Sequence, residues 1–270
     1  PAPQTAAEIL VAKVGQPGQA AILPQEPDIR QRHAVEGVIF AGGVGKRMNS
    51  RVKPKQFLNV YGKPIIIHTL EVFDSHPDID AVVVACLEEW IPYLNELIDK
   101  YNLKKVKKVV PGGKSGQESI YHGLLAAEEV AGQERSIVLI HDGVRPMIYK
   151  KTIDDNLQSV REHGSAITSV TVKETVLVVS EDNAIVDVPN RKDTRLARAP
   201  QSFYLDEIIA LHRQAIAEGK EDFIDSCSMM QYYGRKLYLI DGPQENIKIT
   251  TPDDFYTMRA LLDAKEEAQI

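Results

Sequence analysis

Apolar and polar positions alternate in two rhythms from Val35 onward. Four strands are predicted: the apolar runs Val35–Ala41, Asp80–Cys86 and Ser136–His141, and Lys105–Val110, which is strongly basic at its start. Between and after them lie stretches with helical spacing: Lys63–Ser75, where Ile66, Leu70 and Phe73 share a face, then Trp90–Tyr101, Gln117–Ala131 and Lys151–His163. Strands alternating with helices imply right-handed crossovers and a parallel sheet covered on both faces. The rhythm then changes. Ala166–Val179 and Ala184–Val188 are rich in Val and Thr and are separated by the polar turn Ser180–Asn183, which predicts a β-arm spanning about residues 168–200. Leu205–Glu218 returns to helix, Lys236–Ile240 to strand and Pro252–Lys265 to a closing helix. The pattern predicts one α/β catalytic domain over residues 35–270, mostly parallel in its sheet, with a protruding β-arm.

Composition narrows this little. With 270 residues, 43% of them hydrophobic, the chain is long enough for one sizeable core. Residues 1–34 carry five prolines among Gln and Ala and lack the basic start and apolar run of a secretion signal, so they are read as an extension outside the core. A net charge of −6 argues against nucleic acid or an anionic membrane as partner. Cys86 and Cys227 stand far apart in no motif, which fits a cytoplasmic protein with plain thiols.

The strand ends carry the candidate chemistry, because open α/β sheets bind ligands at the carboxyl ends of their strands. Ala41, Gly42, Gly43 and Gly45, followed by Arg47, suit phosphate: glycines admit close backbone approach and a guanidinium supplies a forked donor. The same segment also suits a plain strand-to-helix turn. It matches neither GxxxxGK[ST], because Arg47 follows the lysine, nor GxGxxG, because Met48 takes the last glycine's place. With Cys86-Leu87 where a ribose-binding acid would stand, a dinucleotide-dependent dehydrogenase is disfavoured. Pro54-Lys55-Gln56 holds a cation near that loop. Gly112-Gly113 with Ser119 is either a capped turn or a seat for an anion or a base edge. Asp142, in His141-Asp142-Gly143-Val144-Arg145-Pro146, closes an apolar strand. A carboxylate there needs a partner, either a divalent ion such as Mg²⁺ or Arg145. His141 itself is read as a backbone-bonded histidine ending the strand.

Taken in order, AGGVGKRM, PKQF, GG-x5-S, HDGVRP, PNR, APQSF and ENIKIT make the chain resemble the methylerythritol-phosphate and ribitol-phosphate cytidylyltransferases from about Val35 to Ala264. The resemblance implies a Rossmann-like nucleotidyltransferase fold, a three-layer α/β/α sandwich, that forms a homodimer through the β-arm. It implies CTP and a polyol phosphate as substrates and Mg²⁺ as cofactor. Residues 41–48 would wrap the triphosphate, and Gly112, Gly113 and Ser119 would contact cytosine and ribose. Arg47, Lys55 and Lys248 would act on the phosphates during transfer. Asp142 would hold the metal, with Glu245 a second contact. Thr175 and Arg191 on the arm, and Arg145, would bind the acceptor. Gly116 stands where relatives usually carry arginine. HDGVRP, Pro189-Asn190-Arg191 and Asp225-Ser226-Cys227 resemble the ribitol-phosphate branch more closely than the methylerythritol branch. In the implied reaction the acceptor's phosphate attacks the α-phosphorus. That nucleophile is already anionic, its second pKa being about 6, so no general base is required.

Overall fold

A computed structural model describes residues 33–42, 53–132 and 134–267. Most of the extension therefore lies outside the described residues, as do Gly43, Gly45 and Arg47. The four predicted strands form at Ala34–Ala41 (β1), Ala81–Cys86 (β4), Val106–Pro111 (β5) and Ser136–Asp142 (β6). A small ribbon, Asn59–Val60 (β2) with Lys63–Pro64 (β3), precedes the first helix, Ile65–Asp74 (α1). The next helices are Ile91–Lys100 (α2), Gly116–Ala131 (α3) and Lys150–His163 (α4).

The predicted strand Ala166–Val179 divides in two. Ser165–Thr171 (β7) joins the main sheet, whereas Val178–Val179 (β8) pairs only with Ile185–Asp187 (β9) to make the arm. Besides the β2–β3 ribbon, two further elements are not anticipated by the sequence pattern: the long strand Arg195–Tyr204 (β10) and the short helix Ser226–Tyr232 (α6). Leu205–Ala217 (α5), Leu239–Asp241 (β11) and Pro252–Glu267 (α7) complete the chain.

Among the described residues the main sheet has seven strands in the order β11-β7-β10-β6-β1-β4-β5. Only β10 runs against its neighbours, pairing antiparallel with β6 and with β7. The central strands β1, β4 and β6 are buried on both faces, and their side chains sort with period two. Val35, Ile39, Val82, Val84, Ile137 and Leu139 join one core with α1, α2 and α4. Val38, Val83, Val138 and Ile140 join the other, with α3, α5 and α6. A smaller cluster of Val60, Ile65, Val144, Ile249 and Met258 seats α7 and the segment before it over the end of β6. Among the described residues no helix is long and apolar enough to cross a membrane.

Candidate functional site

Strand register brings the candidate loops to one edge. Ala41 pairs with Cys86, Cys86 with Pro111, and Phe40 with Asp142, so β1, β4, β5 and β6 end level. Beyond their carboxyl ends lies a cavity of about 250 Å³, lined by Ala41, Gly42, Lys55, Gly113, Ser119, Asp142 and Lys248 among others. A larger hollow of about 630 Å³, along α4 and β11, holds none of these residues.

Ser119 organises the glycine side of the cavity. It is buried in α3, and its Oγ accepts from the Gly113 N–H (2.9 Å) and donates to the Ser115 carbonyl (2.8 Å). A Cβ at Gly42 would stand 2.9 Å from that oxygen, and one at Gly112 would stand 3.1 Å from it. The glycines are therefore required by close packing of two loops on one hydroxyl. Among the described residues, apart from its chain neighbours and its own helix backbone, no heavy atom lies within 4 Å of where a Cβ would stand on Gly116.

Lys55 lies in a short 3-10 turn, Lys55–Phe57, tied back to β1 by Gln56, whose Nε2 donates to the Ala41 carbonyl at 2.6 Å. Phe57 anchors the turn by stacking on Trp90, ring centroids 5.0 Å apart. Lys55 is 9% exposed, lines the cavity, and places its charge near Asp254 at the start of α7.

Asp142 is the centre of the opposite wall. Its Oδ2 accepts from Arg145 Nε at 2.7 Å and its Oδ1 lies 2.6 Å from Lys248 Nζ. The arginine partnership left open by the sequence is thus present, and a second cation joins it. Burial opposes ionisation of Asp142, but Lys248 and Arg145 outweigh it and hold the carboxyl below the usual carboxylate range. His141 is fully buried, and its Nε2 donates to the Arg145 carbonyl at 3.0 Å, as read for a strand-closing histidine. Burial pushes its pKa down to about 4, so it is neutral near pH 7.

A second cavity of about 300 Å³ adjoins the first, sharing Phe40, Gly116, Asp142 and Lys248 with it. Its remaining walls come mainly from β10 and the start of α6, with Ile120 of α3, Ile140 of β6 and Arg145 of the loop after β6, and Arg145, Arg198, Gln201 and Asp225 are among its polar members. Gln201 bridges the two elements: Nε2 donates to Asp225 Oδ2 (2.8 Å), and Oε1 accepts from the Cys227 N–H (2.8 Å). Asn246, fully buried, donates from Nδ2 to the Ala199 carbonyl (2.6 Å), and its own carbonyl accepts from Arg145 Nη1 (2.9 Å). It joins β10 to the loop after β6.

The structure thus brings together Ala41, Gly42, Gly112, Gly113, Ser119, Lys55, Asp142, Arg145 and Lys248. It places three others elsewhere. Glu245, the second metal contact that the resemblance implies, lines neither cavity, and its charge is felt at Tyr149. Thr175 and Arg191 meet each other, Arg191 Nη2 to Thr175 Oγ1 at 3.4 Å, but on the exposed arm and outside both cavities of their own chain. Asn246, Arg198 and Gln201 were missed. The signal available for them was a polar residue inside ENIKIT, and polar residues flanking a proline in β10.

Comparison with known proteins agrees with this arrangement. The sequence profile of IspD, 2-C-methyl-D-erythritol 4-phosphate cytidylyltransferase, matches residues 35–264. A ribitol-5-phosphate cytidylyltransferase of Streptococcus agalactiae is 55% identical over 87% of this chain and 98% of that protein. A 2-C-methyl-D-erythritol 4-phosphate cytidylyltransferase of Clostridium botulinum is 38% identical over 84% of this chain and 96% of its own. The crystal structure of 4-diphosphocytidyl-2C-methyl-D-erythritol synthase from Anaerococcus prevotii superposes with a TM-score of 0.75 at 24% identity, covering 86% of this chain and 96% of that one, and so shares the fold. The level strand ends with their glycine loops, the Asp142 cluster and these matches lead to one conclusion: the chain belongs to the IspD family of cytidylyltransferases.

Proposed function

We propose that this chain transfers the cytidylyl group of CTP to D-ribitol 5-phosphate, giving CDP-ribitol and pyrophosphate. The observation that carries the acceptor is the step in identity, 55% to a ribitol-5-phosphate enzyme against 38% to a methylerythritol-phosphate enzyme, each over nearly the whole partner.

The geometry supports the reaction type. The glycine wall offers backbone groups to the nucleotide, and Lys55 and Lys248 flank the same cavity as cations for the α-phosphate. Arg47, outside the described residues, is assigned to that phosphate with them. His141 is neutral and committed to a carbonyl, so it does not take a proton from the nucleophile. The acceptor's phosphate needs no such help, because its second ionisation lies near a pKa of about 6. Catalysis is then positioning plus cationic stabilisation of charge growing on the transferred group.

Asp142 fits Mg²⁺, which binds through one or two carboxylates and the substrate's phosphates. Among the described residues it is the one carboxylate lining the first cavity, and Lys248, whose side chain is 41% exposed, has room to yield Oδ1. Mg²⁺, when bound, would neutralise charge on the triphosphate.

The arm supports a homodimer. Leu177, Val178, Val179, Ile185, Val186 and Val188 are all exposed in the single chain. A second copy packed there would cover them and carry Thr175 and Arg191 toward the partner's second cavity. A cytoplasmic location goes with CTP as donor.

Incubation with CTP, Mg²⁺ and each of D-ribitol 5-phosphate and 2-C-methyl-D-erythritol 4-phosphate tests the reading. Pyrophosphate release is expected with ribitol phosphate, is expected to stop with a chelator, and is expected to return with added Mg²⁺. Turnover of methylerythritol phosphate in preference would reverse the acceptor, and full activity in chelator would remove the metal.

A further inference from the structure

Among the described residues, Arg198 is the one cation of the second cavity with no assigned role. Those residues give the cavity wall three cations, Arg145, Arg198 and Lys248, against two carboxylates, Asp142 and Asp225. Both carboxylates are already committed. Asp142 holds Arg145 and Lys248, while Asp225 caps α6 through the Ser228 N–H at 2.8 Å and accepts from Gln201. Arg198 is left without a partner: no hydrogen bond or ion pair reaches its guanidinium from any described residue, and its Nε is shielded from water. Burial, and then the charge of Arg145, press its pKa below the usual arginine range.

The backbone explains how it comes to face the cavity. In the pairing of β10 with β7, Ala197 lies opposite Ser169 and Gln201 opposite Ile167, so four steps on one strand match two on the other. Such a bulge takes residues out of the ladder and re-aims their side chains. Asn246 holds the bulge in place through the Ala199 carbonyl. A guanidinium that is half-buried, unpaired and beside another arginine is unfavourable unless an anion joins it.

We propose that Arg198 is an acceptor-binding residue that grips the phosphate group of the polyol phosphate from the β10 wall and sets the enzyme's affinity for that substrate. The inference rests on the transferase reading above. The phosphate monoester of the acceptor supplies the missing negative charge, and Arg145, fixed by Asp142 and the Asn246 carbonyl, lies beside it as a second guanidinium. The CTP side of the site, built on Ser119 and the glycines, does not involve Arg198.

The test is steady-state kinetics of Arg198→Gln and Arg198→Lys, varying acceptor and CTP separately. Arg198→Gln should raise KM for the acceptor by about tenfold or more, the size expected for one lost charge-assisted hydrogen bond, and leave KM for CTP within about twofold. Arg198→Lys keeps the charge and loses the fork, so it should recover part of the affinity. It also scores the proposal if the glutamine variant folds poorly. An unchanged acceptor KM in both variants, or equal rises for both substrates, would overturn the role. Failure of the transferase reading is separable from failure of this one. If wild-type protein prefers another polyol phosphate, the KM comparison is made on that substrate. If it makes no product, an NMR titration with inorganic phosphate should still show weaker binding in Arg198→Gln, and equal binding would sink the proposal.

Discussion

The surroundings of Asp142 and His141 fix the charge of both residues. Lys248 and Arg145 keep it ionised, and burial keeps His141 neutral down to about pH 4. A group with a depressed folded pKa titrates below the working range, so neither residue changes charge between pH 5 and 8. The expected profile of kcat/KM for the acceptor is level from about pH 7 upward and falls on the acid side through the acceptor's own ionisation, near a pKa of about 6. His141→Gln should keep that acid limb. A profile that loses it in the variant would place a working proton on the histidine. At this scale the sequence was informative where chemistry leaves few options: a carboxylate closing an apolar strand must find a cation or a metal, and His141 had a carbonyl within reach. It was silent where geometry decides. Nothing in ENIKIT distinguishes Glu245, whose charge is felt at Tyr149, from Lys248 three residues on, which meets Asp142.

Among elements, β10 does most to shape the second cavity, and it was the hardest to read. Arg195–Tyr204 lacks the alternation of a half-buried strand: its first residues are exposed, its last are buried between β6 and β7, and Pro200 interrupts it at the bulge. A proline inside a run argues against a central strand, and only a bulge reconciles it with the middle of a sheet. The buried strands β1, β4 and β6 were legible because both of their faces are covered, which leaves continuous apolar runs. Helix α6, at seven residues, is too short to show a helical period. Asn246 connects these unreadable pieces. Asn246→Ala should leave the Ala199 carbonyl without its donor and lower unfolding free energy by about 1–3 kcal/mol, measured by urea denaturation. It should also raise KM for the acceptor more than for CTP, because the bulge carrying Arg198 loses its anchor. Unaltered stability would mean that the carbonyl finds another donor and that the anchor is dispensable.

For the whole molecule, the arm separates what one chain contains from what the reaction is proposed to use. Thr175 and Arg191 are close to each other yet line neither cavity of their own chain, and the apolar side chains around them face solvent. If the arm serves a partner, the catalytic groups of one chain and the acceptor-binding groups of another form each working site. Lys55→Ala disables the nucleotide side and Arg191→Ala the arm, so homodimers of either variant should be nearly inactive. In an equal mixture that re-equilibrates, half the dimers combine the two variants. Each of these mixed dimers has one site with an intact Lys55 from one chain and an intact Arg191 from the other. Activity should then return to about a quarter of the wild-type level, a recovery that closed two-fold symmetry allows and that independent chains do not. Adding Val179→Asp and Val186→Asp to both chains places charge on the exposed arm and should abolish the recovery, while light scattering reports monomers. Mixtures that stay inactive although dimers form would mean that each arm folds back to its own chain's cavity, and that Arg191 reaches the acceptor from within.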